Sequence, residues 1–205
     1  MIEIYHVQGT RGIRPIWVCE ELGLTYRVVT VDFSAAYRAS PEWRRMNPVG
    51  KVPVLVDGDL TLFESGAMVQ YLLDRYGEGR LQPPAGTREH ALYLQWSWFA
   101  EATFARPLGE IVNHRRVFSE KQQNPAAIDE MAERTWLCVD ALERALTGRD
   151  WLVGDDITGA DIMTGYTLML VTRLTPGELP PSVARYYAAL SARPGFQVAV
   201  AAGRT

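Results

Sequence analysis

A proline stands at the front of an apolar run, Val52-Pro53-Val54-Leu55-Val56, and a turn, a second short run and an acid beside a hydroxyl follow in close order. Proline has no N–H to give to a ladder, so it is tolerated only at strand starts, edges or bulges. The run must therefore begin or border a sheet, with the main chain of Val52 facing outward, and a cis Val52-Pro53 bond suits that arrangement. Asp57-Gly58 is a hairpin turn between strands at 53–57 and 60–63. Ser65 then opens a helix to about Tyr76, and its hydroxyl, N–H and position at the positive end of the helix dipole make it an anion receptor. Glu64 sets a carboxylate beside it. An N-cap next to an acid describes many helices, so this pair gains its meaning from the strand motif in front of it.

The rest of the chain is organised around that unit. Residues 2–7 alternate as a strand, 12–22 read as a helix with Pro15 in its first turn and Gly23 at its end, and 25–33 form a second strand. This β-α-β unit implies a parallel pair. A loop follows, in which Ser40-Pro41 starts a short helical turn, giving the order β-α-β-α-β-β-α. Residues 77–87, GEGRLQPPAGT, have the composition of a linker. Everything beyond reads helical: one long helix over 88–118, bent where Arg106-Pro107 removes a donor, another from Pro125 to about Leu146, and a last pair at 181–191 and 195–201. Thr158 and Asp161 have capping-box spacing, with Ile157 and Ile162 as the hydrophobic staple, and are assigned to structure.

Composition excludes several function classes. With 205 residues, 47% hydrophobic and 22% charged, the chain has a core and is not disordered. Its 21 basic against 24 acidic residues give a net charge of −3, and without a basic tract no nucleic-acid surface is expected. The start MIEIYHV lacks a signal peptide's charged and apolar regions, and no stretch approaches a membrane span, so a soluble cytoplasmic protein is expected. Cys19 and Cys138 form neither a CxxC pair nor a metal cluster with His6, His90 and His114, so no metal is expected and both cysteines read as small buried hydrophobes.

The stretch NPVGKVPVLVDGDLTLFESGAMVQYLL resembles the cytosolic glutathione S-transferases, in the bacterial branch with a serine or threonine at the active site. The resemblance spans nearly the whole chain. It implies a thioredoxin-like domain at 1–76, a linker at 77–87 and an all-helical domain at 88–205 that supplies an electrophile pocket. It also implies glutathione as co-substrate and a homodimer joined through the helices at 65–76 and 88–118. In that family the open backbone before the proline pairs with the cysteinyl part of glutathione, matching Val52 and Pro53, and the Glu-Ser pair takes the γ-glutamyl end, matching Glu64 and Ser65.

A thiol near pKa 8.5 is mostly protonated at neutral pH, so a transferase must favour the thiolate. Thr10, in Gly9-Thr10-Arg11-Gly12-Ile13-Arg14, falls on the family's activating serine when counted back from Arg14. Its extra methyl restricts χ1 relative to serine. Tyr5, at the end of the first strand, is the competing activator. Lys51 is the first candidate for the glycyl carboxylate, with Arg11 and Arg38 behind it, while Gly50 and Gly66 stand where some relatives carry basic residues. Trp98, Phe99 and Phe104 are expected to wall the electrophile pocket, although aromatics at helical spacing also build cores. Glu101 matches a place where relatives reach across the dimer. The favoured activity is conjugation of glutathione to a small hydrophobic electrophile in detoxification. The alternatives are a glutathione-dependent isomerase, a dehalogenase or ether-cleaving enzyme, and a non-catalytic binding protein.

Overall fold

The computed structural model describes residues 1–203 and divides the chain into two compact units, one of Met1–Gln82 together with the chain from Ser191, the other of Pro83–Leu190. In the first, β1 (Ile2–His6), α1 (Ile13–Leu22) and β2 (Tyr26–Thr30) are followed by α2 (Ala35–Ala39), α3 (Pro41–Met46), β3 (Val54–Asp57), β4 (Leu60–Phe63) and α4 (Ser65–Tyr76). The sheet order is β2-β1-β3-β4, with β1 and β2 parallel and β3 antiparallel to its neighbours on both sides. Such a sheet with helices is the thioredoxin-like arrangement expected of residues 1–76.

The period of two along β1 sends Ile2, Ile4 and His6 into the core and leaves Glu3 and Tyr5 half-buried on the opposite face. That face is closed by Trp43 of α3, which clusters with Val31 and Val54 while Tyr5, Val7 and Val52 pack around them. Ser40 caps α3 by accepting from the Trp43 N–H, as Ser40-Pro41 suggests. The loop expected before it is shorter than the sequence indicates: Ser34 caps a further short helix, α2. Gly23 ends α1 at φ 67°, a conformation that costs glycine nothing.

The second unit holds α5 (Arg88–Trp98), α6 (Ala105–Val112), α7 (Pro125–Leu146), α8 (Gly159–Leu174) and α9 (Pro181–Ser191), while α10 (Pro194–Ala201) returns to pack on α1 of the first. The helix expected over 88–118 is not one regular helix. It is interrupted by π-helical turns at Phe99–Phe104 and Asn113–Val117. Pro107 gives no N–H to the carbonyl four residues back and its ring crowds it, and the widened turn just upstream absorbs the misfit, with the Ala105 N–H bonded to the Ala100 carbonyl. No comparable residue explains the second interruption. α8 is buried on nearly all sides, as a helix apolar around its circumference must be. Its start is fixed by Asp161, whose carboxylate accepts from the Thr158 N–H and hydroxyl, the Leu152 N–H and the Tyr186 hydroxyl. Among the described residues no helix is long and apolar enough to cross a membrane, and no cluster of three His, Cys, Asp or Glu side chains could hold a metal ion.

Candidate functional site

Register brings the sequence motifs of the first unit to one end of the sheet. Tyr5 of β1 lies opposite Val54 of β3, and Val54 lies opposite Phe63 of β4. Beyond that row β1 runs on into the turn at 7–12, β3 is entered from 51–53, and β4 leaves into Glu64 and Ser65. Tyr5, Thr10, Arg11, Lys51, Val52, Pro53, Glu64 and Ser65 therefore lie towards one end of the sheet, while Trp98, Phe99 and Phe104 belong to the second unit.

The Val52–Pro53 peptide bond is cis, and the ladder of β3 begins only at Val54. The loop that delivers it is held by Asn47, a buried residue that the sequence reading passed over. Its side chain donates to the Lys51 carbonyl (2.9 Å) and accepts from the Val49 N–H (3.1 Å), and its own carbonyl takes the Gly50 N–H. Asn-Pro followed by Gly50 signals a turn there, but not the burial of the Asn47 side chain. Gly50 sits at φ 65°, with the Arg38 carbonyl 2.7 Å from where a Cβ would be, so the basic side chain carried there by some relatives has no room in this backbone.

At the N-terminus of α4, Ser65 is buried and its Oγ accepts from Nη1 of Arg14 at 3.0 Å. Arg14 has no exposed surface at all. Its charge, the α4 dipole and the Ser65 hydroxyl, whose own proton is left to donate, converge as a receptor for a carboxylate. Glu64 is exposed and adopts φ 78°, a backbone conformation rare for a residue with a Cβ and concentrated at functional sites. Arg14 is the main candidate residue missing from the sequence reading, which used it only to set the register of Thr10.

Thr10 does not cap α1. The N-cap of α1 is Gly12, and Thr10 lies in the preceding turn, where its hydroxyl donates to the Val7 carbonyl at 2.7 Å and stands 3.3 Å from Nδ1 of His6. Tyr5 donates its hydroxyl to Glu3, which also pairs with Arg27, and its pKa is raised by burial and by the Glu3 charge. The phenol is thus held in its protonated form on the Trp43 side of the sheet. Cys19 and Cys138 are buried, with the Cys19 thiol pushed up to about 12 by burial, so neither supplies a thiolate.

Lys51 is exposed and Arg11 half-buried. Arg38 stacks on Phe33, its guanidinium carbon 4.6 Å from the ring centre. Of the aromatics expected at an electrophile pocket, Trp98 is 68% exposed, Phe99 is half-buried and Phe104 is fully buried in ring contact with Phe99. Phe104 is a core residue, because a side chain without accessible surface cannot meet a substrate. Glu101 lies half-buried in the first π-helical turn.

His6 carries a consequence for stability. Burial pushes its pKa down from 6.5 to about 4, against the Ala202 main chain. The unfolded chain takes up this proton near pH 6.5, the folded chain only near 4, so the stabilisation is complete above 6.5 and is lost as pH falls towards 4. The full effect is roughly 3 kcal/mol. Urea denaturation at pH 7 and pH 4.5 should show this loss in the wild type and not in His6→Phe; parallel pH slopes in the two would count against it.

The description "Glutathione S-transferase, N-terminal domain" matches residues 2–74, and "Glutathione S-transferase, C-terminal domain" matches residues 125–189. The chain belongs to the glutathione S-transferase family. A probable glutathione S-transferase, GSTF1 of Oryza sativa subsp. japonica, is 32% identical over 76% of this chain and 73% of its own length. The disulfide-bond oxidoreductase YfcG of Escherichia coli is also 32% identical, over 79% of this chain and 76% of its own. The transferase URE2P8 of Phanerochaete chrysosporium, solved with oxidized glutathione, superposes with a TM-score of 0.88 at 27% identity, covering 97% of this chain and 92% of that one. The family's two-part fold thus accounts for both the thioredoxin-like sheet and the helical unit, and this end of the sheet is the candidate glutathione site of this transferase-family chain.

Proposed function

We propose that this chain binds glutathione at the end of the sheet formed by 51–53, 64–65 and the turn at 7–12, lowers the pKa of its thiol and transfers the thiolate to a small hydrophobic electrophile. The observation that carries this reading is the buried Arg14 bonded to Ser65 at the start of α4, beside the open entry to β3. The γ-glutamyl carboxylate meets the α4 N-terminus, Ser65 and the Arg14 charge, and Glu64 takes the ammonium. Val52 offers main-chain groups ahead of the β3 ladder, and Lys51 or Arg11 meets the glycyl carboxylate. Residues 1–76 act as the glutathione-binding domain and 88–205 as the helical domain, where exposed Trp98 offers apolar surface to the electrophile. We read the protein as a cytoplasmic homodimer joined through the helical segments at 65–76 and 88–118.

Thr10 stabilises the thiolate. A hydroxyl hydrogen turns about the Cβ–Oγ bond without moving either heavy atom, so the proton now given to Val7 can be given to sulfur when glutathione arrives. Holding the thiolate in place then supplies proximity to the acceptor. Ultraviolet titration of glutathione bound to the wild type should find its thiol pKa depressed below the free value of about 8.5, and in Thr10→Ala it should return towards that value. An unshifted thiol in the wild type would leave a binding protein and not a transferase. A depressed pKa that Thr10→Ala does not move would assign the role to Tyr5 or Arg11. The relative named as a disulfide-bond oxidoreductase supports a second reading, in which the same thiolate attacks a disulfide. With both protein cysteines buried, glutathione would then supply the attacking sulfur.

A further inference from the structure

Glycine permits a close approach at two places near this end of the sheet. A Cβ on Gly12 would stand 2.2 Å from Nδ1 of His6, and a Cβ on Gly50 would stand 2.7 Å from the Arg38 carbonyl, 3.0 Å from Cζ of Arg44 and 3.1 Å from its Nε. The second fit seats a guanidinium. Arg44 lies in the last turn of α3, where its Nε donates to the Arg38 carbonyl at 3.0 Å and its Nη1 donates to the Pro48 carbonyl. Carbonyls at the end of a helix have no partner within it, so the Arg38 carbonyl of α2 needs a donor from outside. One planar fork thus ties the end of α2 to the loop that enters β3, with the buried Gly50 packed against it. Asn47 fixes the inside of that loop, whereas Arg44 fixes where the loop stands relative to α2.

The two stretches that Arg44 joins both carry cations. Lys51 follows Gly50 and is exposed. Arg38 stacks on Phe33, and its Nε is buried with no hydrogen-bond partner among the described residues, a donor left without an acceptor. The geometry points to Arg44 as a positioning residue for the glycyl end of glutathione: by bonding the Arg38 and Pro48 carbonyls it sets the spacing between Arg38 and Lys51, which together meet the tripeptide's second carboxylate. This rests on the reading of the chain as a glutathione-binding protein, to which it adds Arg38 beside Lys51. Arg44 acts through the main chain and does not touch the peptide, since its Nε and Nη1 are engaged by carbonyls. Its influence is confined to one end of the ligand, because the γ-glutamyl carboxylate is assigned to Ser65 and Arg14 at the start of α4.

Calorimetric titration with two peptides tests this: glutathione, and γ-glutamylcysteine, which ends at the cysteine and so lacks the glycyl carboxylate. The wild type should bind glutathione more tightly. Arg44→Met should weaken glutathione about tenfold, the scale of one hydrogen bond to a charged group, and leave γ-glutamylcysteine within about twofold. Arg14→Met, acting at the other end, should weaken both peptides alike. Arg44→Lys keeps the charge, but an ammonium lacks the fork that spans two carbonyls, so it should recover only a small part of the loss; full recovery would put the Arg44 charge directly on the carboxylate and overturn the positioning role. Gly50→Ala keeps every charge and crowds the guanidinium from its seat, so it should also narrow the gap between the peptides, and should add little in an Arg44→Met background; fully additive losses would overturn the inference. Thermal melts show which variants are folded, and if Gly50→Ala is not, the two Arg44 variants decide. Equal losses for both peptides in a folded Arg44→Met, or none for either, overturn the inference and leave the glutathione site standing. A wild type that binds both peptides equally well overturns it too, and one that binds neither removes the site itself.

Discussion

Replacing Asp161 with alanine should cost the fold about 3–5 kcal/mol, enough to remove most of the stability of an ordinary domain. The carboxylate is buried, and each of its oxygens accepts two hydrogen bonds: Oδ1 from the Leu152 N–H and the Tyr186 hydroxyl, Oδ2 from the Thr158 N–H and hydroxyl. Alanine would leave two main-chain and two hydroxyl donors buried without an acceptor, each at a cost of its own. The Asp161→Asn substitution keeps one oxygen and turns an N–H₂ group towards two donors, so it should fall between wild type and alanine. Tyr186→Phe removes a single donor and should cost only about 1–2 kcal/mol. Chemical denaturation of the three variants should give that order. Equal losses for Tyr186→Phe and Asp161→Ala would show that the tyrosine, and not the carboxylate, anchors the start of α8.

Arg14→Met should weaken glutathione binding roughly 10- to 100-fold, since a hydrogen bond to a charged group is worth about 1.5–3 kcal/mol and the substrate's carboxylate would lose its nearest buried cation. Methionine has similar length and no charge, so the space beside Ser65 stays filled. Arg14→Lys should recover only part of the affinity, because an ammonium is a point charge and lacks the planar fork of guanidinium donors. Calorimetric titration with glutathione measures the effect, and a thermal melt of each variant shows whether the fold is kept. Unchanged affinity in a folded Arg14→Met would remove Arg14 from the site.

These two residues differ in how far the sequence exposes them. Asp161 is legible, since a hydroxyl followed three residues later by an acid is a local pattern with a local cause. α4 and α7 are legible for the same reason: Ser65 and Pro125 open them, and the structure begins both helices at those residues. Arg14 is not. In a helix whose neighbouring residues are apolar, an arginine reads as a surface charge, and only the fold brings it to a serine 51 positions away. Asn47 and His6 were hidden likewise, because burial of a polar side chain is set by packing. The expectation of one helix over 88–118 failed at Phe99–Phe104, where the pattern of apolar residues persists while the hydrogen bonds change register. Periodicity averages over a turn and does not detect one widened step.

The close fit of Gly12 against His6 has a consequence for how such a chain can change over generations. With only 2.2 Å between Nδ1 and the place of a Gly12 Cβ, an alanine at 12 is excluded while the imidazole remains, and a smaller residue at 6 would leave a hollow beneath the first turn of α1. Position 12 is therefore free to vary only where position 6 varies with it. A lineage that abandons His6 can recruit a side chain at 12, and one that keeps His6 must keep the glycine, so a library randomised at both sites and selected for folding should return reciprocal sizes at 6 and 12.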